Sequence, residues 1–442
     1  MDNSRRLVYK TLLKIEQDGA FSNLAIDSAL KQSDLSAQDK AFASALFYGV
    51  CERKITLDFI IGKLSSVRLS KMDLSIKVIL RMGIYQLLYM ESVTDFAAVD
   101  ESVKLALYAK RQKLKGFVNA ILRTFIREGK QIKFPDKAEK PSFYLSIKYS
   151  CPEDFAINLI KDYGFEMAEA FLAKSLDRPP LTIRANTLKT TADSLRNDLQ
   201  KEGVECRLHE KIENCVIIDK TTAIDRLQSF KQGLFHVQDS ASMLCAMALA
   251  PNPDDLVYDI CSAPGGKTFT MAQLMEGKGK IGAFDLYEHK IKLIQDGANR
   301  LGLSNVEASI NDATKDKDLD KADKILCDVV CSGSGIIRRK PEIKYKEWSD
   351  LSELVKLQLD ILTKSAKHLK SGGELVYSTC SVNKAENEGV VKEFLQQNSD
   401  FEPCDLPQHI LEFGISNSNN MVTLMPNVSD TDGFFIAKLR RK

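Results

Sequence analysis

From about residue 240 onward, short β-rich runs alternate with amphipathic helical stretches. The runs are LVYDIC (256–261), IGAFDL (281–286), VEASIN (306–311), KILCDVV (324–330), GELVYST (373–379) and FFIAKL (434–439). Helical segments such as HKIKLIQDGANRLG and LSELVKLQLDILTKSAKHLKSG separate them. Strands joined through helices lie parallel, and a parallel sheet must be covered on both faces. The pattern therefore predicts a doubly wound α/β domain over 241–442, with ligands bound at the carboxyl ends of the strands.

Those ends carry the chemistry. The first strand runs into DICSAPGGKT (259–268), where Pro264, Gly265 and Gly266 make a tight turn and a helix starts at once. Free amides at a helix start favour a polar or anionic group. The second strand ends in Asp285, about 20 residues beyond the glycines, which is placed to accept ribose hydroxyls. Asp312 in NDAT follows the third strand and is placed for a base edge, and Asp328 ends the fourth. The spacing is neither the G-x-G-x-x-G dinucleotide pattern nor a P-loop. A nucleoside without a pyrophosphate fits, and S-adenosylmethionine is one. Its ribose would lie on Asp285, its adenine at Asp312, and its aminoacyl end over the turn of Cys261, Ser262, Ala263, Pro264, Gly265, Gly266 and Lys267.

Two cysteines follow at strand ends. Cys331 stands in ILCDVVCSGSGIIRRKPEIKY (325–345), and Cys380, 49 residues later, in LVYSTCSVNKAENE. Methylating C5 of a pyrimidine needs a thiolate to add at C6, because C5 alone is not nucleophilic. It also needs an acid near N3 and a base for the C5 proton. Asp328, Cys331 and Cys380 are groups of these kinds. The residues alone leave open which thiol attacks.

The front of the chain is different. SRRLVYKTLLKIEQ, DKAFASALFYGVCERKITLDFII and MDLSIKVILRMGIYQLLYM repeat apolar residues at helical spacing, so 1–135 is expected to be all-α, with Ser4 and Asp39 as N-caps. FPDKAEKPS, with Pro135 and Pro141, reads as a linker. Residues 142–240 mix helices with the strands LTIRANT, ECRLHE and CVIID, a small α+β module. Residues 101–150 carry 12 Lys/Arg against 4 Asp/Glu in a chain whose net charge is only +2. Clustered cations suit a polyanion, and Lys110, Arg111, Lys113 and Lys115 are the candidates. Ten cysteines without a CxxC pair, and five scattered histidines, predict neither a disulfide framework nor a metal site. The sequence has no apolar run of about 18 residues and no signal peptide, so a cytoplasmic protein free of membrane is expected.

DICSAPGGKT, AFDL, NDAT, DVVCSGSGIIRRKPEIKY, YSTCSVNKAENE and DGFFIAKLRR resemble, in order, the motifs of the Sun family of RNA cytosine-C5 methyltransferases. FSNLAI, ALFYGV, LRMGIYQLLYM, VDESVKLA and GFVNAILR resemble the NusB-like helical domain of its bacterial 16S ribosomal RNA member, and YSCPEDF, IRANT and GLFHVQDSASML its connecting module. The resemblance implies a NusB-like bundle, a small α+β module and a Rossmann-like methyltransferase domain. It implies Cys380 as nucleophile, Cys331 in resolution of the covalent adduct, and Asp328 facing cytosine and cofactor. It further implies S-adenosylmethionine as cofactor and naked or early-assembly 16S rRNA as partner, at the position conventionally numbered 967, with a monomeric enzyme. A tRNA or another rRNA cytosine is the alternative target. A non-catalytic RNA-binding assembly factor is the alternative class, and the intact acids and cysteines speak against it. Arg338 and Arg339 would grip phosphates beside the target base. Two positions depart from the family pattern: Val330 stands where it has proline, and Phe155 where tryptophan is frequent. Valine does not enforce the backbone that proline would, so the placement of Cys331 is expected to be less predetermined.

Overall fold

The computed structural model describes residues 3–18, 22–221 and 223–442. The chain forms two compact units, one of residues 1–176 and 340–349, the other of residues 177–339 and 350–442.

The first unit is helical. Leu74–Tyr89 is its inner helix and is buried nearly all round, as a helix enclosed by others must be. Val8, Leu46, Phe47, Leu57, Ile61 and Leu122 close over it. A Cβ at Gly83 would come within 2.9 Å of Leu122 and Ser102, so glycine lets the helices Asp95–Tyr108 and Lys115–Arg127 approach. Buried Arg81 binds both carboxylate oxygens of Asp58, at 2.6 and 2.7 Å, and pairs with Glu16. The expected long helix through Ile61 is broken at Arg53 into Ala37–Glu52 and Lys54–Leu64. Neither expected cap holds. Ser4 lies inside Asn3–Asp18, and Ser36 caps the helix in which Asp39 is the third residue. Ser36 is a good cap because its hydroxyl accepts the Asp39 amide.

The helices Pro141–Tyr149, Glu153–Tyr163 and Phe165–Lys174 belong to this first unit, so the stretch 142–240 is divided between the two. Residues 340–349, the tail of the signature that carries Cys331, belong here too. Lys344 Nζ, buried, donates to the Glu52 and Tyr149 carbonyls. The Trp348 ring lies 4.5 Å from that of Phe155, its backbone N–H donates to Asp154, and Asn158 donates to its carbonyl.

The second unit holds two sheets. β1 (Leu181–Ala185), β2 (Glu205–Leu208), β3 (Cys215–Lys220) and β4 (Phe235–Val237) form a small antiparallel sheet in the order β2-β3-β1-β4. The large sheet contains β5 (Leu256–Ile260), β6 (Lys280–Asp285), β7 (Val306–Ile310), β8 (Ala322–Asp328), β9 (Leu369–Thr379), β10 (Phe401–Pro403), β11 (Ile415–Ser418), β12 (Met421–Leu424) and β13 (Phe434–Arg441). Its order is β11-β12-β13-β9-β8-β5-β6-β7, with β10 against β13. β5 to β9 pair in parallel, as expected, whereas β13 runs antiparallel to β9. The short strands β10 to β12 were not anticipated, because they are too brief and polar to show a period.

Successive residues enter opposite cores. Val257, Leu326, Val376 and Ile436 face one, while Tyr258, Ile325, Leu375 and Phe435 face the other. The helices Ser240–Leu249, Gly266–Leu274 and Glu288–Leu301 cover the first core, and Ser352–Ala366 and Val390–Gln397 the second. Among the described residues no helix is long and apolar enough to cross a membrane.

Trp348 is the chain's single tryptophan and is 2% exposed. Trp348→Ala is expected to destabilise the first unit by about 3–5 kcal/mol. The check is a lower urea midpoint, followed by far-ultraviolet circular dichroism.

Candidate active site

Reading across β7-β6-β5-β8-β9, the strand ends present Asp312, Asp285, the 261–266 turn, Asp328 and Cys380. Four strand spacings make this row about 19 Å long.

At its centre, Cys261 has φ 61° and Gly265 has φ 106°. A Cβ on Gly265 would lie 2.5 Å from the Phe269 ring, so only glycine keeps the turn closed against its helix. Ser262 donates through both its amide and its hydroxyl to the Phe284 carbonyl. Asp285, 5% exposed, accepts from the amides of Ala263 and Leu286 and pairs with Lys290 at 3.1 Å. A carboxylate offers about four lone-pair sites, so one remains, and the exposed Lys290 pair is the replaceable one. Asp312 accepts from the amide and hydroxyl of Thr314, which hold its carboxyl below the usual range. The acceptors Asp312 and Asp285, with the glycine cradle next to them in the row, fit S-adenosylmethionine.

Lys267, the lysine of the turn, donates to Asp328 Oδ2 at 2.7 Å. Ser378 of β9, opposite Asp328 in the register, donates to Oδ1 at 2.8 Å. Burial opposes the charge on Lys267, but the Asp328 carboxylate outweighs it and holds the ammonium above its ordinary range.

The two cysteines are brought together. Their Sγ atoms lie 3.1 Å apart, both half-buried. The hydrogen bond to Cys380, then burial, then the charges of Cys380 and Glu386 push the Cys331 thiol well above its usual range. Either thiol can be the donor of the pair. The freedom that Val330 leaves is taken up by tertiary bonds. The Val329 amide donates to the Ser378 carbonyl, Gln358 donates to the Val330 carbonyl, and the Ser332 amide donates to Glu386.

The two arginines meet protein groups. Arg338, 5% exposed, is spent on Asp430 and the Thr431 carbonyl, and Arg339 on Asp432, Asp239 and the Pro180 carbonyl. They brace the Cys331 loop and are not free to grip phosphate. In the first unit, Lys110, Lys113 and Lys115 are exposed with no ion-pair partner among the described residues, while Arg111 is paired with Asp73 at 2.8 Å.

Three site residues were not singled out from sequence: Ser378, Glu386 and Asp259. The first two lie inside the YSTC and AENE motifs but show no periodic signal. Asp259 is the penultimate residue of β5, fully buried, with Oδ2 accepting from Thr268 and Oδ1 unpartnered among the described residues. Burial pushes its carboxyl up to about 7 from an ordinary 3.8. A raised acid binds its proton more tightly in the fold, so between about pH 4 and 7 the fold loses stability as pH rises. Asp259→Asn is expected to flatten the melting temperature over that window relative to the unmodified chain, as thermal melts at stepped pH will show.

Family models match in three places. That of the 16S rRNA methyltransferase RsmB/F matches residues 246–440, the NusB family matches 2–127, and an RsmF/B-like ferredoxin-like domain matches 152–225. The chain is 37% identical over 447 residues to the probable ribosomal RNA small subunit methyltransferase B of Bacillus subtilis, covering 99% of this chain and 98% of that one. It is 32% identical over 431 residues to the ribosomal RNA small subunit methyltransferase B of Escherichia coli, covering 97% and 96%. Among solved structures, that of PH0851 superposes with a TM-score of 0.80 at 26% identity, covering 99% of this chain and 98% of that one. A methyltransferase homologue from Pyrococcus horikoshii gives 0.58 at 29% identity, over 68% and 99%. On sequence and fold together, the chain belongs to the RsmB/F family of 16S rRNA methyltransferases.

Proposed function

We propose that the chain methylates C5 of a cytosine in 16S rRNA from S-adenosylmethionine, with Cys380 as nucleophile and Cys331 in adduct release. The observation that carries this reading is the pair of free thiols 3.1 Å apart, at the ends of adjacent strands and beside the Asp328–Lys267 ion pair. The target we favour is the position conventionally numbered 967, on the strength of the likeness to small-subunit methyltransferases B.

The residues divide the work as follows. Asp285, Asp312 and the 261–267 turn hold the cofactor, whose chemistry when bound is an electrophilic methyl group. The Cys380 sulfur adds to C6 and pushes electrons onto C5, which then takes the methyl group. Lys267, kept charged by Asp328, is a donor for the electron-rich N3/O2 side of the ring, and Asp328 is an acceptor for the amino group. Once Cys380 is bonded to C6 its charge is gone. The Cys331 sulfur then no longer shares a hydrogen bond with a free thiol, and it gives its own proton to solvent before it acts as the base. Cys331 then takes the C5 proton, the C6–S bond breaks, and Cys380 leaves with the electron pair.

The target base must leave its stack to reach a site at the strand ends, which favours a loop or single strand of RNA. Lys110, Lys113 and Lys115 supply sequence-independent phosphate contacts. The parts 1–135, 142–240 and 241–442 then serve RNA binding, connection and methyl transfer.

Cys380→Ala is expected to abolish transfer of tritiated methyl to naked 16S RNA, and retained turnover would refute its role. Cys331→Ala is expected to leave a protein–RNA adduct that survives a denaturing gel. Bisulfite sequencing of RNA from a deletion strain identifies the cytosine.

A further inference from the structure

The residue after each cysteine is a serine, and both serines end on one side chain. Glu386 lies at the start of the helical segment after β9 and is fully buried. Its Oε1 accepts from Ser332 Oγ at 2.5 Å and from Ser381 Oγ at 2.6 Å. Its Oε2 accepts from the Ser332 amide at 2.8 Å and from Gln358 Nε2 at 2.9 Å. The second of these donors also holds the Val330 carbonyl. The proton directions run one way: the Val382 amide donates to Ser334 Oγ, and Ser334 lies 2.9 Å from Ser381, whose hydroxyl donates to Glu386. The Ser332 amide and Gln358 can only donate, and both hydroxyls donate here, so the site as built presents donors to both oxygens.

We propose that Glu386 is a positioning residue that clamps the Cys331 loop to the end of β9 and so sets the two thiols in register. The clamp falls unevenly. Cys380 continues a paired strand, and its carbonyl also accepts from the Gly335 amide. Cys331 sits in a loop without the family's proline, where two of the four bonds to Glu386 come from its neighbour Ser332. Loss of the carboxylate should therefore displace Cys331 far more than Cys380. The proposal rests on the reading of Cys380 as nucleophile and Cys331 as the releasing thiol.

Glu386→Gln keeps the shape but replaces one acceptor oxygen by an amide N–H, so at least one of the four bonds must break or reverse its direction. With RNA and S-adenosylmethionine, E386Q is expected to lose about 10²-fold in kcat through misplacement of a reacting group, with KM for RNA nearly unchanged. It should also accumulate the denaturation-resistant adduct expected of Cys331→Ala. A second readout uses no RNA. Diamide takes two electrons and two protons from the thiols, its N=N bond becoming a hydrazine as the Cys331–Cys380 disulfide forms. Peptide mass spectrometry follows the linked pair. The unmodified protein should link rapidly and E386Q at least about tenfold more slowly, since the rate follows the effective concentration of one thiol at the other. Linking at the unmodified rate overturns the proposal. Slow linking with no adduct from either E386Q or Cys331→Ala supports the clamp and refutes the release role instead. Should E386Q fail to fold, Ser332→Ala keeps the carboxylate and removes one bond. It must slow linking by a smaller factor, and linking at the unmodified rate overturns the clamp.

Discussion

The parallel pairing of β8 with β9 is the constraint on which the site depends. It sets Asp328 opposite Ser378, so the chain leaving β8 must pass the end of β9, and three residues beyond Asp328 meet two beyond Ser378. The meeting of Cys331 and Cys380 is thus a consequence of register. A slip of one residue would turn Asp328 to the other face of the sheet, away from Lys267. Burial of both faces fixes that register, because each strand alternates between two separate cores.

Charge in the site is organised by burial as much as by contact. Asp328 holds the buried Lys267 ammonium charged at 2.7 Å, while Asp259, one strand over and fully buried, has only a hydroxyl for one oxygen and nothing among the described residues for the other. One acid is therefore matched by a cation and the next is pushed toward neutrality, though they lie at the ends of neighbouring strands. Sequence spacing cannot separate these two fates, because it says nothing about which way each carboxyl turns.

What could be read from the sequence follows the same line. The β5 to β9 strands, the glycine turn and the acids at their ends were legible because short strands between amphipathic helices leave few topologies. The FFIAKL strand was legible too, but not its antiparallel direction, which leaves no periodic mark, nor the short strands β10 to β12 beside it. Arg338 and Arg339 were expected to grip phosphate because they follow the glycine turn, yet tertiary carboxylates from Asp239, Asp430 and Asp432 engage them. Glu386 escaped notice. An acid among polar residues after a strand reads as surface, and only the fold brings Ser332, Ser381 and Gln358 around it. Val330 shows the limit most directly: the missing proline predicted a loose loop, whereas bonds from residues far along the chain hold it.

The segment after Arg339 carries a further consequence. Residues 340–349 continue the Cys331 signature without a break, yet Lys344 and Trp348 are buried among Glu52, Tyr149 and Phe155 of the helical unit. The helical front is therefore not a module that could be cut away at residue 176 to leave a self-sufficient methyltransferase half. Such a fragment would turn an indole and a buried ammonium's hydrocarbon stem out into water on the segment that continues from Cys331. Loss of the front at that boundary would have to go together with a change in this segment.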